Sequence, residues 1–176
     1  MRYQELLDEY SHLLRCDVQM RQQMQRIPKG YVVTKRISGR DYFYLQYSVQ
    51  GKKKSEYIRE DDIPAIKAAL AERESLKLRM AQNRGEQERL VRAAQILDTN
   101  LYRIFLYLKQ CADMDAMPMA RRLEALSFAR AMTALEGLPA KEETEDNLRL
   151  WAKGEMSFAD IYLNALRNYR VVEVTQ

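Results

Sequence analysis

Few side chains in this sequence are suited to do chemistry, and the types present favour binding over catalysis. Glu136 stands directly before Gly137 at the end of an apolar, helix-forming run. From its chemistry alone, a carboxylate before a helix-ending glycine is an ordinary solvated group beside a helix stop. His12 is the only histidine. It lies among Tyr10, Leu13 and Leu14 in an amphipathic pattern, where a structural role is expected. Cys16 and Cys111 lie inside helical patterns with no second Cys or His at ligand spacing, so they read as packed, reduced thiols rather than zinc ligands. There is no nucleophile elbow, phosphate-binding glycine loop or paired-histidine metal motif. The expectation is a binding protein, not an enzyme, with no catalytic residue, metal or cofactor.

A second group of candidates is electrostatic. Lys29, Lys35, Arg36, Arg40, Lys52, Lys53, Lys54 and Arg59 face only Asp41 and Glu56 between residues 29 and 59, while the whole chain carries a formal charge of only +4. Tyr42, Tyr44 and Tyr57 are interleaved with these cations. Such a surface can run along phosphates and reach bases, so Arg36, Arg40, Tyr42, Tyr44, Lys52, Lys53, Lys54 and Tyr57 are candidate nucleic-acid contacts.

The elements that must position these groups follow from periodicity. Residues 2 to 26 repeat apolar side chains at three- and four-residue spacings, which predicts an amphipathic helix ended by Pro28 and Gly30. The period then falls to two. Strands are predicted over 31–37, 42–49 and 54–59, joined at Ser38-Gly39-Arg40 and Gln50-Gly51-Lys52 as an antiparallel meander. In the middle strand Phe43, Leu45, Tyr47 and Val49 alternate with Tyr42, Tyr44, Gln46 and Ser48, giving one apolar face and one tyrosine-rich face.

Asp61 or Asp62 is placed to cap a long helix running to about residue 110, either straight or broken near Asn83 to Gly85, where Gly85 is the weak point of its charged middle. Pro118 then opens a helix ending at Glu136 and Gly137, a second ends at Gly154, and Ser157 caps a third with Asp160 as its partner. The predicted class is mainly α with a small three-stranded antiparallel β-meander, a long connecting helix and a C-terminal three-helix module. The expected division is 1–82, 83–117 and 118–176.

A chain of 176 residues with 31% charged and 47% hydrophobic side chains lies in the range of folded proteins. No run reaches the roughly 18 apolar residues that a bilayer demands, and Met1-Arg2-Tyr3-Gln4-Glu5 lacks the apolar stretch of a secretion signal, so a cytoplasmic location is expected.

The stretch Ala129-Arg130-Ala131-Met132-Thr133-Ala134-Leu135-Glu136-Gly137-Leu138, followed by Gly154-Glu155 and Asp160-Ile161, resembles the VbhA-like antitoxins that inhibit Fic toxins. The likeness covers about 121 to 169. In that family a Ser or Thr, three residues, Glu, and Gly or Asn form the inhibitory motif. Here Glu136 and Gly137 match its second half, Met132 takes the hydroxyl position, and Thr133 stands one residue late. The resemblance implies a Fic-domain adenylyltransferase as partner, with Glu136 taking the arginine that would hold the γ-phosphate of ATP. It adds Arg130, Leu135, Leu138 and Trp151 as candidate toxin contacts, Trp151 being also a natural core residue between the last two helices.

The segment from Lys29-Gly30-Tyr31 to Ser55-Glu56-Tyr57-Ile58 is similar to an uncharacterised domain family of microbial and mobile-element proteins. Its order of strands and helix also resembles the sheet domains with which tyrosine recombinases hold DNA, which implies DNA as the alternative partner.

Overall fold

The structure is a computed structural model that describes residues 3–137 and 141–174, with side-chain burial through Arg167. Helix α1 (Gln4–Arg26) leads into strands β1 (Tyr31–Ile37), β2 (Arg40–Val49) and β3 (Lys52–Ile58). A 3-10 turn at Glu60–Asp62 opens onto α2 (Ile63–Leu97), followed by α3 (Thr99–Asp115), α4 (Met119–Leu135), α5 (Glu142–Lys153) and α6 (Phe158–Val174). The mainly helical class with a three-stranded antiparallel meander, ordered β1-β2-β3, is therefore what the chain adopts. No described helix is long and apolar enough to cross a membrane.

Two compact units emerge, one formed by Met20–Gln82 and the other by Met1–Gln19 with Asn83–Gln176. In the first, Leu45, Ile58 and Ile63 are buried with Val32, Phe43, Tyr47, Ile66 and Leu70 around them, so the apolar side of the sheet packs on the start of α2. Both hairpins turn in two residues, shorter than the three-residue joints expected, and β2 and β3 each begin two residues earlier than their predicted starts. Ser38 and Gly39 take φ of 50° and 81°, and Gln50 and Gly51 take 50° and 77°. Positive φ at both central residues matches the right-handed twist of the strands. Gly30 is fixed for a different reason: at φ 117° a Cβ would lie 2.1 Å from the Gln46 carbonyl oxygen. Arg73 reaches back from α2 and donates to the carbonyls of Met24 (2.7 Å) and Ile27 (3.0 Å), satisfying acceptors at the end of α1.

In the second unit Leu7, Tyr10 and Leu14 of α1 pack with Ala94, Leu101, Phe105, Leu108 and Ala112. Tyr10 stacks on Phe105 with centroids 4.1 Å apart and planes 4° from parallel. Helix α2 runs through Asn83 to Gly85 without a break. Asn83 is buried and its amide donates to the Leu13 carbonyl at 2.9 Å, holding α2 against α1 where the sequence reads as solvated. The helix stops instead at Leu97, because the Asp98 carboxylate accepts from the N–H groups of Asn100 (2.7 Å) and Leu101 (3.0 Å) and so caps α3.

The helices α4, α5 and α6 surround Leu126, Trp151 and Ala152. Gly137 and Gly154 take φ of 67° and 83° at the ends of α4 and α5, as their placement predicts. Ser157 caps α6, its Oγ accepting from the Asp160 N–H at 3.0 Å and donating to the Asp160 carboxylate at 2.7 Å.

Candidate functional site

Two surfaces gather the candidate residues, one in each unit. The first is the end of α4. Its inward side buries Arg122 and Leu126. Its outward side carries Phe128, Met132 and Leu135, which are 69%, 41% and 83% exposed. Spacings of four and three put these on one face, and Glu136, four residues after Met132, continues it. Glu136 is exposed at the C-cap, and among the described residues its side chain has no hydrogen bond or ion pair. The result is an apolar stripe closed by one carboxylate.

The remaining candidates of this module behave differently. Thr133 directs its hydroxyl to its own helix, donating to the carbonyls of Ala129 and Arg130 at 3.1 Å each. Arg130 is paired with Glu145 of α5. Trp151 cannot be a contact surface, being 2% exposed. Its indole N–H donates to the Asp115 carboxylate at 2.9 Å and its ring meets Phe158 edge-on. Leu138 lies outside the described residues, as do the side chains beyond Arg167, including the Tyr169 of the resemblance's range.

A polar junction that periodicity does not mark lies inside this module. Asp115 Oδ1 accepts from Trp151 Nε1 and from the Phe158 N–H at 2.8 Å. Arg122 donates to the carbonyls of Met117 (3.0 Å), Trp151 (3.1 Å) and Asp115 (2.9 Å). Burial raises the Asp115 carboxyl above its ordinary 3.8, with the N–H donors and the Arg122 guanidinium pulling it the other way. In sequence Asp115 is one of two nearby acids with Asp113, and Arg122 one of an adjacent pair with Arg121, on either side of a helix-opening proline, and nothing in their spacing marks which of them is buried.

The second surface is the sheet side turned away from α2. Register places Tyr31, Val33, Lys35 and Ile37 of β1, Arg40, Tyr42, Tyr44, Gln46 and Ser48 of β2, and Lys53, Ser55 and Tyr57 of β3 on this side. Asp41 and Glu56, the acidic residues of the meander, both project to the other side, so this one carries cations and no carboxylate. Tyr57 meets Tyr44 and Tyr42 at centroid distances of 5.9 and 6.4 Å, and Lys35 Nζ sits 4.7 Å from the Tyr44 ring centre. A concavity of about 190 Å³ is lined by Lys29, Gly30, Tyr31, Gln46, Tyr47, Ser48 and Lys53.

The candidate nucleic-acid contacts are thus divided. Arg40, Tyr42, Tyr44, Lys53 and Tyr57 share the open side, whereas Arg36, Lys52 and Lys54 project from the opposite one. Arg36 there faces Asp41 at 4.0 Å. Strand alternation splits a lysine triplet between two faces, which a count of charges along the chain does not reveal.

His12 is exposed and Cys16 half-buried, with His12 Nε2 lying 3.6 Å from the Cys16 sulfur one helical turn away. No group of three or more possible metal ligands occurs among the described residues. Cys111 is buried, its thiol pushed up to about 11 by burial and the charge of Asp115.

No curated protein and no solved structure matches this chain. Residues 2–68, which comprise α1, the sheet and the first residues of α2, match a family described as a domain of unknown function (DUF6788), a description that names no activity.

Proposed function

We propose that this chain is a non-enzymatic inhibitor of the antitoxin type, and that it docks α4 on a Fic-domain adenylyltransferase and blocks AMP transfer with Glu136. The observation that carries the reading is the unpaired, exposed Glu136 at the end of the Phe128–Met132–Leu135 stripe. Apolar side chains in a row on a helix face supply the contact area of a helix-in-groove interaction, and a carboxylate at its tip supplies direction. A guanidinium that holds the γ-phosphate of ATP is a fitting partner, because a planar fork pairs with a carboxylate as it does with phosphate. Transfer of a nucleotidyl group depends on positioning and electrostatics, so a small displacement of the triphosphate suppresses it strongly.

The division of labour along α4 gives the test. With purified adenylyltransferase, the chain is expected to lower AMP incorporation into a target protein. Glu136→Gly is expected to restore incorporation while the complex still elutes as one species, and Leu135→Asp to abolish the complex. Equal inhibition by the native chain and Glu136→Gly would remove the mechanism, and failure of the native chain to bind would remove the partner.

A further inference from the structure

The open side of the sheet has a second use that the α4 reading does not require. We propose that it is a platform for single-stranded nucleic acid, with bases stacked on its tyrosines and phosphates held by Lys35, Arg40 and Lys53.

Charge complementarity selects a polyanion. Both carboxylates of the strands, Asp41 and Glu56, are turned to the other face, so no strand residue on this side repels a phosphate. The aromatic content selects the form of that polyanion. Tyr42, Tyr44 and Tyr57 form one contiguous group on β2 and β3, and Tyr57 and Tyr31 are 60% and 57% exposed. The cations stand around these rings: Lys35 on the outer strand β1, Arg40 at the first turn and Lys53 beside the second. A duplex offers base edges in its grooves and keeps its ring faces stacked inside, so exposed tyrosine rings find little on it. An unpaired strand offers a ring face at every base and a phosphate between successive bases, which is the pattern of aromatic centre and cationic border found here. The concavity bordered by Lys29, Tyr31, Gln46 and Lys53 adds a recess at one edge, with a cation from the chain before β1 and another from β3.

The sheet also separates this proposal from a general basic patch. Lys54 and Lys53 are adjacent in sequence and opposite in direction. A nonspecific attraction would weaken similarly on losing either charge, whereas a one-sided platform distinguishes them.

Fluorescence anisotropy with the full chain, an end-labelled twenty-base oligothymidine and a duplex of the same length tests the proposal at low and moderate salt. The single strand is expected to bind more tightly than the duplex, with affinity falling as salt rises. Tyr57→Ala is expected to weaken binding about tenfold while Tyr57→Phe retains it, since stacking needs the ring and not the hydroxyl. Lys53→Gln is expected to weaken binding and flatten the salt dependence, and Lys54→Gln to leave both unchanged. Circular dichroism on each variant separates loss of contact from loss of fold. Tighter binding to duplex, no binding at low salt, equal losses for Lys53→Gln and Lys54→Gln, or equal losses for Tyr57→Ala and Tyr57→Phe in folded protein would each overturn it.

Discussion

Single side chains here show how far a residue's type is from its role. Tyr10 is fully buried in the α1–α3 core, and among the described residues its hydroxyl oxygen has no hydrogen-bond partner. Burial, with the charge of Asp113 behind it, pushes the phenol up to about 12, so the group stays protonated. The ring stabilises by stacking on Phe105, whereas the hydroxyl carries an unreturned desolvation cost. Tyr10→Phe is therefore expected to leave stability unchanged or raise it by about 1 kcal/mol, and Tyr10→Ala to lower it by about 3 to 5 kcal/mol, measured by urea unfolding.

Asp115 gives the opposite lesson. Its folded-state pKa is raised, so the fold holds this proton more firmly than the unfolded chain does. Its contribution to stability is greatest below the ordinary 3.8 and declines as pH climbs through the raised value. Asp115→Asn keeps an oxygen for Trp151 and Phe158 and removes the titration. The stability of this variant relative to native protein is expected to improve as pH rises from about 3 to about 7, by unfolding midpoints; a constant difference would contradict the assignment.

At the scale of elements, most of the fold was legible and its joints were less so. The change of period from 3.6 to 2 and back marks α1, the meander and α2, because one-sided burial imposes those periods. Gly137, Gly154 and Ser157 mark helix ends because their local chemistry acts without tertiary help. The long helix stays unbroken through its charged middle for a tertiary reason. A glycine amid charged residues reads as a weak point, but packing of Asn83 and Gln87 against neighbouring structure holds that turn. The true stop, Asp98, is a one-residue cap in an otherwise unbroken apolar pattern. Gly85 has nothing within 4 Å of an added Cβ. Gly85→Ala is accordingly expected to stabilise the protein by about 0.5 to 1 kcal/mol, whereas a real break there would make it neutral or harmful; thermal unfolding decides.

Over the whole molecule, the sequence revealed what kinds of groups were present but not which surfaces they share. Trp151 illustrates this, since the same residue type anchors interfaces and fills cores, and here Asp115 receives its indole inside the C-terminal module. The lysine triplet illustrates it again, divided by the pleat between two sides of β3. Glu136 and the tyrosine platform belong to different compact units. Each proposed surface can therefore be altered by substitution without touching the residues of the other.

The strand order β1-β2-β3 leaves β3 with a neighbour on one side only within its sheet. A border strand with free amides and carbonyls invites a strand from another chain to extend the sheet, and consecutive lysines are a common deterrent. Lys52, Lys53 and Lys54 occupy the first half of β3, where mutual repulsion between two copies would oppose such pairing. Replacing all three by threonine is expected to raise light scattering on storage while the circular dichroism of the fresh protein stays the same. The triplet would then guard the chain against its own kind.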